Sequence, residues 1–166
     1  LDQDCGGQPL GKALLQPTRI YTKNLLTLQE AFGDRDDFGI ASFTINPRYD
    51  TPAVLKAYAE RYGITDMDWH LLTGPQDSIY ALANAGYNIF AAEMPEVPGG
   101  FEHSGLFALI DKEWYIRSRK DDYGNPIVYY RGAITPGQET NEVGETQQIS
   151  ILLEDIEKLL EASYGN

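Results

Sequence analysis

The chain is 166 residues long, 42% hydrophobic and 23% charged, which suits one globular domain that can bury roughly two thirds of its surface without disulfides or metal. Lys and Arg number 13 against 25 Asp and Glu, and a net charge of −12 argues against nucleic acid or an anionic membrane surface as the main partner, because phosphates call for clustered cations. A single cysteine, Cys5, leaves no internal disulfide, no Cys-x-x-Cys redox pair and no Cys-rich zinc site.

In chain order, residues 1–19 are Gly- and Gln-rich without periodicity and read as loop or poorly ordered chain. Thr22 is placed to cap a helix running to Phe32, with Leu25, Leu28 and Phe32 on one face and Gly33 as its stop. Phe38 to Ile45 is an apolar run between turn residues and predicts a strand buried on both faces. Asp50-Thr51-Pro52 opens the next helix, with a capping side chain ahead of a proline at the first helical position. Val54, Leu55, Tyr58, Ala59 and Tyr62 follow at helical spacing, and Gly63 ends the element. Trp69 to Thr73 predicts a short strand, and Gly74-Pro75 a further helix with Ile79, Leu82 and Ala83 inward.

Residues 91–105 are Pro- and Gly-rich and predict a loop, followed by a hairpin from Leu106–Ile110 and Trp114–Arg119 around Asp111-Lys112-Glu113. Gly132 to Gln148 is polar and reads as a surface excursion, and Ile149 to Ala162 as an amphipathic terminal helix with Leu152, Ile156 and Leu159 in one stripe. No repeat or linker divides the chain, so residues 1–166 are expected to form one domain. The element order predicts an α/β layer fold with a parallel part and an antiparallel edge, and its closing hairpin and helix match the back half of a thioredoxin-like domain. The longest apolar runs, such as Leu106 to Ile110, are too short to span a bilayer. The start at Leu1, with neither Met nor a basic and apolar leader, is what a processed or trimmed chain would show.

Walker, dinucleotide-fingerprint, His-Glu-x-x-His and Gly-x-Ser-x-Gly motifs do not occur in the sequence, and no carboxylate pair is singled out as an acid/base couple. His70 follows Trp69 at a strand edge and reads as structural or exposed. His103 ends a Pro/Gly loop directly before an apolar strand, where side chains are presented for ligand binding. Its neighbour Ser104 makes a poor nucleophile partner, since adjacent side chains in extended chain face opposite ways. Met94, in the same loop, carries a thioether that serves either as a soft metal ligand or as packing, and Cys5 is a second soft donor, alone in a Gly-rich terminus.

Several of these segments together resemble the Sco/SenC copper proteins. Phe43-Thr44-Ile45-Asn46-Pro47-Arg48-Tyr49-Asp50-Thr51-Pro52 is similar to that family's strand-end motif, and Leu55-x-x-Tyr58-Ala59-x-x-Tyr62-Gly63 and Trp69-x-Leu71-Leu72-Thr73-Gly74 continue it. Glu102-His103-Ser104 through Phe107-x-Leu109-Ile110-Asp111 resembles the family's His-Ser segment and following strand, and Ile151 to Leu160 its closing helix. The resemblance implies an α/β thioredoxin-like fold with a central mixed sheet flanked by helices. It implies a metallochaperone rather than a turnover enzyme, holding one copper ion through a Cys-x-x-x-Cys pair and a distant histidine. The implied role is assembly of the copper centre of cytochrome c oxidase, with a respiratory oxidase subunit as partner, in the periplasm or tethered to the membrane facing it. Two thiolates select Cu(I), and an imidazole lets such a site hold Cu(II) as well. The resemblance assigns His103 as the imidazole ligand, with Cys5 the one thiol present. Counting back from Thr22-Lys23-Asn24, however, puts the two expected sulfurs at Leu14 and Thr18, whose side chains cannot bind copper. Two alternatives follow: a thioredoxin-like thiol–disulfide oxidoreductase, or a metal-free interaction module that has kept the fold and lost the site.

Overall fold

The computed structural model describes residues 17–96, 100–142 and 144–163. The loop expected over residues 1–19 therefore lies outside the described residues up to Gln16. Helix α1 spans Pro17–Phe32, so residues 17–19 are helical and the helix starts five residues ahead of the expected cap at Thr22. Proline fits the first helical turn, where its missing N–H has no partner to lose. Thr22 instead sits inside the helix, buried, with its hydroxyl 2.6 Å from that of Tyr58. At the other end Gly33 N–H closes on Gln29 O at 2.8 Å, which is the predicted stop.

Strand β1 covers Ile40–Phe43, shorter than the predicted run, and pairs in parallel with β2, Trp69–Leu72, in the register Ile40 to Trp69 through Phe43 to Leu72. Only one face is covered. Ile40 and Trp69 are buried, whereas Ala41 and Phe43 are exposed, so the strand is not the doubly buried one its composition suggested. Between the two strands runs α2, Pro52–Tyr62, built as predicted: Thr51 accepts from Val54 N–H, Pro52 opens the helix, and Gly63 closes it in the left-handed conformation. After β2 comes a short α3, Gln76–Ala81, which loosens into a π-turn over Leu82–Gly86. Ile79 faces inward, but Leu82 is exposed, because the π-turn rotates it off the helical stripe.

The expected Pro/Gly loop contains structure. Ala91–Glu93 (β3) and Phe101–His103 (β4) form an antiparallel hairpin with Ala91 opposite His103. Further on, β5 (Leu106–Phe107) pairs with β8 (Tyr130–Arg131), and β6 (Leu109–Ile110) pairs with β7 (Ile116–Arg117) in the predicted hairpin. The described strands thus form one parallel and three antiparallel two-stranded ladders. The terminal helix α4, Ile149–Ser163, lays Leu152, Ile156 and Leu160 into the core beside Leu28, Ile40, Trp69, Leu109 and Tyr130, and Ile149 is buried at its start. Leu159, placed on that stripe from spacing, is only half-buried.

The polar excursion after β8 is not all surface. Gly132 and Ile134 are buried, and Asn24 of α1 donates its amide hydrogens to both their carbonyls, at 2.7 and 3.1 Å. A second polar bolt joins the ladders to α4. Asp155 accepts from Tyr130 Oη at 2.7 Å and from Arg119 Nε at 2.9 Å, while Arg119 also reaches Glu154 at 2.7 Å. Arg119 and Tyr130 pull the Asp155 carboxyl below the ordinary carboxylate value against burial, which acts the other way.

Candidate functional site

The site begins where α1 meets the end of β4. Tyr21 lies on α1 one turn after position 18, and residues three apart share a helix face. Its ring and hydroxyl pack against Gly105, two residues beyond His103, so closely that a Cβ at Gly105 would collide with the phenol. Gly105 has φ +63°, a conformation costly for other residues, and its carbonyl accepts from Gly132 N–H at 2.9 Å. Burial raises the Tyr21 phenol above its ordinary pKa. The first turns of α1 are therefore held beside the segment His103-Ser104-Gly105.

Backbone bonds define how β4 is presented. Ser104 N–H donates to Phe90 O at 3.1 Å and Met94 N–H to Gly100 O at 2.9 Å. In an antiparallel ladder such hydrogen-bonded pairs alternate with pairs that exchange none, so Ala91 and His103 form a non-hydrogen-bonded pair. The N–H and C=O of Ala91 then face away from β4. Asn84 of the π-turn meets both: its Oδ1 accepts from Ala91 N–H at 3.2 Å and its Nδ2 donates to Ala91 O at 2.9 Å. The same Nδ2 donates to Tyr80 O at 2.9 Å, which ties the amide to its own helix.

Beside the hairpin lies the chain that leaves β1. Tyr80 donates its hydroxyl to Ile45 O at 2.9 Å, and Arg48 stands 3.9 Å from Glu93 at the rim. Below them, Thr44, Asn46 and Asp50 form a buried polar cluster. The Thr44 hydroxyl donates to Asp50 Oδ2 and accepts from Asn46 N–H, while Asp50 Oδ1 and Asn46 Oδ1 have no hydrogen-bond partner. Burial raises the Asp50 carboxyl above its ordinary pKa, and the Thr44 hydrogen bond pulls the other way.

The residues picked out in the sequence divide as follows. His103 is the last residue of β4 by its backbone, and its side chain lies outside what is described. Cys5 and position 14 also lie outside the described residues, while position 18 is in the first turn of α1. Met94 is half-buried just past β3, three residues from the Ala91–His103 pair, which is roughly 10 Å along a strand. Ser104 is exposed, and His70 is exposed on β2 opposite Ala41, in keeping with the reading of it as structural or merely exposed. Among the described residues no group of three or more His, Cys, Asp or Glu side chains is arranged to hold a metal. Sequence reasoning did not find Asn84 or Tyr21. Asn84 sits in a run of small residues with no spacing signal, because its role comes from a π-turn, and the partner of Tyr21 is a glycine 84 positions away in the chain.

A model of the SCO1/SenC family matches residues 19–130, a span that begins one residue past position 18 and includes β4. Among solved structures, a SCO1/SenC family lipoprotein from Bacillus anthracis str. Ames is similar to this chain with a TM-score of 0.65 and 20% identity, over 88% of this chain and 74% of that one. Among curated proteins none matches. The structural likeness establishes the α/β, thioredoxin-like architecture implied by the sequence motifs.

Proposed function

The chain belongs to the SCO1/SenC family, and from that premise we propose that it is a copper metallochaperone acting in assembly of the copper centre of cytochrome c oxidase. Copper is its cargo, and His103 is the imidazole donor. The observation that carries this reading is the contact of Tyr21 with Gly105, which brings the helix turn holding position 18 to the strand end holding His103. In this reading the family's donor set is split between that helix start and that strand end. The lipoprotein relative supports a protein that is periplasmic or tethered to the membrane facing that compartment. No described helix is long and apolar enough to cross a membrane. A respiratory oxidase subunit is the protein partner in this reading.

The donor set is not the family's full one. Leu14 and Thr18 replace the thiolate pair, so copper is held weakly, with Cys5 the one thiol available. The test is a Cu(I) titration against a competing chelator. Weak one-to-one binding that disappears in His103→Ala is expected, and affinity unchanged in His103→Ala would move the site elsewhere. The apolar and hydroxyl side chains at positions 14 and 18 also favour a second reading, a metal-free interaction module on the same fold, and complete absence of copper binding would select it. The oxidoreductase alternative requires two thiols to close a disulfide within the chain, and this sequence has one.

A further inference from the structure

We infer that Asn84 is a positioning residue for His103: its side-chain amide takes the place of a third strand beside β3 and fixes Ala91, the residue directly across from His103. The inference rests on the reading of His103 as the imidazole donor. Ala91 is buried, and its N–H and C=O turn away from β4, so the hairpin leaves both without a partner. A carboxamide offers one acceptor and two donor hydrogens, which suits it to bond the N–H and C=O of one residue at once. Asn84 does so at 3.2 and 2.9 Å and spends its remaining hydrogen on Tyr80 O at 2.9 Å.

The π-turn is what brings this amide to β3. Over Leu82–Gly86 the chain closes with Tyr87 N–H on Leu82 O at 3.0 Å, and Ile89 N–H reaches Ala83 O at 2.8 Å. Such widened turns re-aim side chains and recur at functional sites. The hairpin is only three residues a side and pairs with no other described strand, so its register has little else to define it. A one-residue slip of β3 against β4 would change which residue stands across from His103 and reverse the faces of the strand. Asn84 opposes that slip because a one-residue shift would turn the N–H and C=O of Ala91 toward β4 and away from the amide.

The test compares Asn84→Ala and Asn84→Asp with the parent chain. Its readouts are amide hydrogen exchange, the NMR resonances of the His103 imidazole ring in the metal-free protein, and binding of Cu(II) alone. In Asn84→Ala the Ala91 amide should exchange up to about tenfold faster, the scale of one lost half-buried hydrogen bond, while the amides of Tyr58 and Ile156 keep their parent rates. The His103 imidazole ring resonances should shift, and Cu(II) affinity should fall by a similar factor. Asn84→Asp, which keeps the acceptor for Ala91 N–H, should lie between, and it carries the same measurements should Asn84→Ala not fold. Faster Ala91 exchange with parent-like His103 ring resonances and copper affinity would overturn the inference and leave Asn84 as a structural residue. Copper affinity unaffected by His103→Ala would instead overturn the copper reading, while the His103 ring resonances of the metal-free protein would still decide the role of Asn84.

Discussion

Trp114 stands in its turn where Gly124 stands in the next. In the first turn Asp111 Oδ1 accepts from the N–H groups of Glu113 and Tyr115, both at 2.9 Å, and Trp114 N–H donates to Asp111 O at 3.0 Å. In the second, Asp121 Oδ1 accepts from Tyr123 and Asn125 at 2.9 and 2.8 Å, and Gly124 N–H donates to Asp121 O at 3.0 Å. Both fourth residues are left-handed, with φ +69° at Trp114 and +86° at Gly124. That conformation costs a bulky residue about 1–2 kcal/mol, and the Trp114 side chain, 79% exposed, recovers little of it by packing. Trp114→Gly is therefore expected to stabilise the fold by about 0.5–1 kcal/mol after the entropy cost of glycine, and Gly124→Ala to destabilise it by about 1 kcal/mol. Urea unfolding midpoints check both, and a lower midpoint for Trp114→Gly would contradict the strain argument.

Asp50 makes stability fall with rising pH. Burial raises its native pKa above the ordinary value of about 3.8, so the fold favours the protonated acid. Its contribution is fully present below the unfolded-state value and is lost as pH rises through the raised native one. Asp50→Asn has no such proton to lose. The difference in unfolding midpoint between the variant and the parent should therefore shift in the variant's favour from about pH 4 to pH 8. Parallel pH profiles for the two proteins would rule the effect out.

The bolt between Arg119 and Asp155 has the opposite sign. Asp155 is held below its ordinary value by Arg119 and Tyr130, so its contribution is present above the unfolded-state pKa and is lost as pH falls through the lower native one. Arg119→Ala strands a carboxylate only 7% exposed and should cost about 3 kcal/mol, the low end for a broken buried pair because the Arg119 side chain is itself 31% exposed. Arg119→Lys should recover part of the loss, since an ammonium cannot reproduce the guanidinium's planar, multidentate contacts. A loss under 1 kcal/mol in Arg119→Ala, measured by urea unfolding at neutral pH, would show that water replaces the arginine.

Elements announced by local chemistry were legible in the sequence. Thr51-Pro52 and Gly63 frame α2 as predicted, and the spacing of Leu152 and Ile156 places α4 on the core. What failed were inferences needing a distant partner. Thr22 has the chemistry of a cap, but Tyr58 across the core takes its hydroxyl, and Pro17 was passed over as part of a loop. The hairpin β3–β4 hid in a Pro/Gly-rich segment because its two strands are three residues long and one of its edges is completed by a side chain, Asn84, rather than by chain with strand periodicity. Tyr21, likewise, became visible only through the nearness of Gly105.

Restoring sulfur should restore grip. Thr22-Lys23-Asn24 sets the count that puts the family's two thiols at positions 14 and 18, and position 18 lies one turn before the Tyr21 that packs against Gly105. Leu14→Cys combined with Thr18→Cys is therefore expected to convert chelator-labile copper binding into a tight one-to-one Cu(I) complex, because paired thiolates select the soft ion. Thiolates bind metal only when deprotonated, so that affinity should rise with pH as the thiols ionise. X-ray absorption on the Cu(I)-loaded double variant should show two sulfur scatterers beside one imidazole, and adding His103→Ala should remove the imidazole while leaving the sulfurs. A double variant that binds Cu(I) no better than the parent would mean that positions 14, 18 and 103 do not converge, and the split donor set would have to be abandoned.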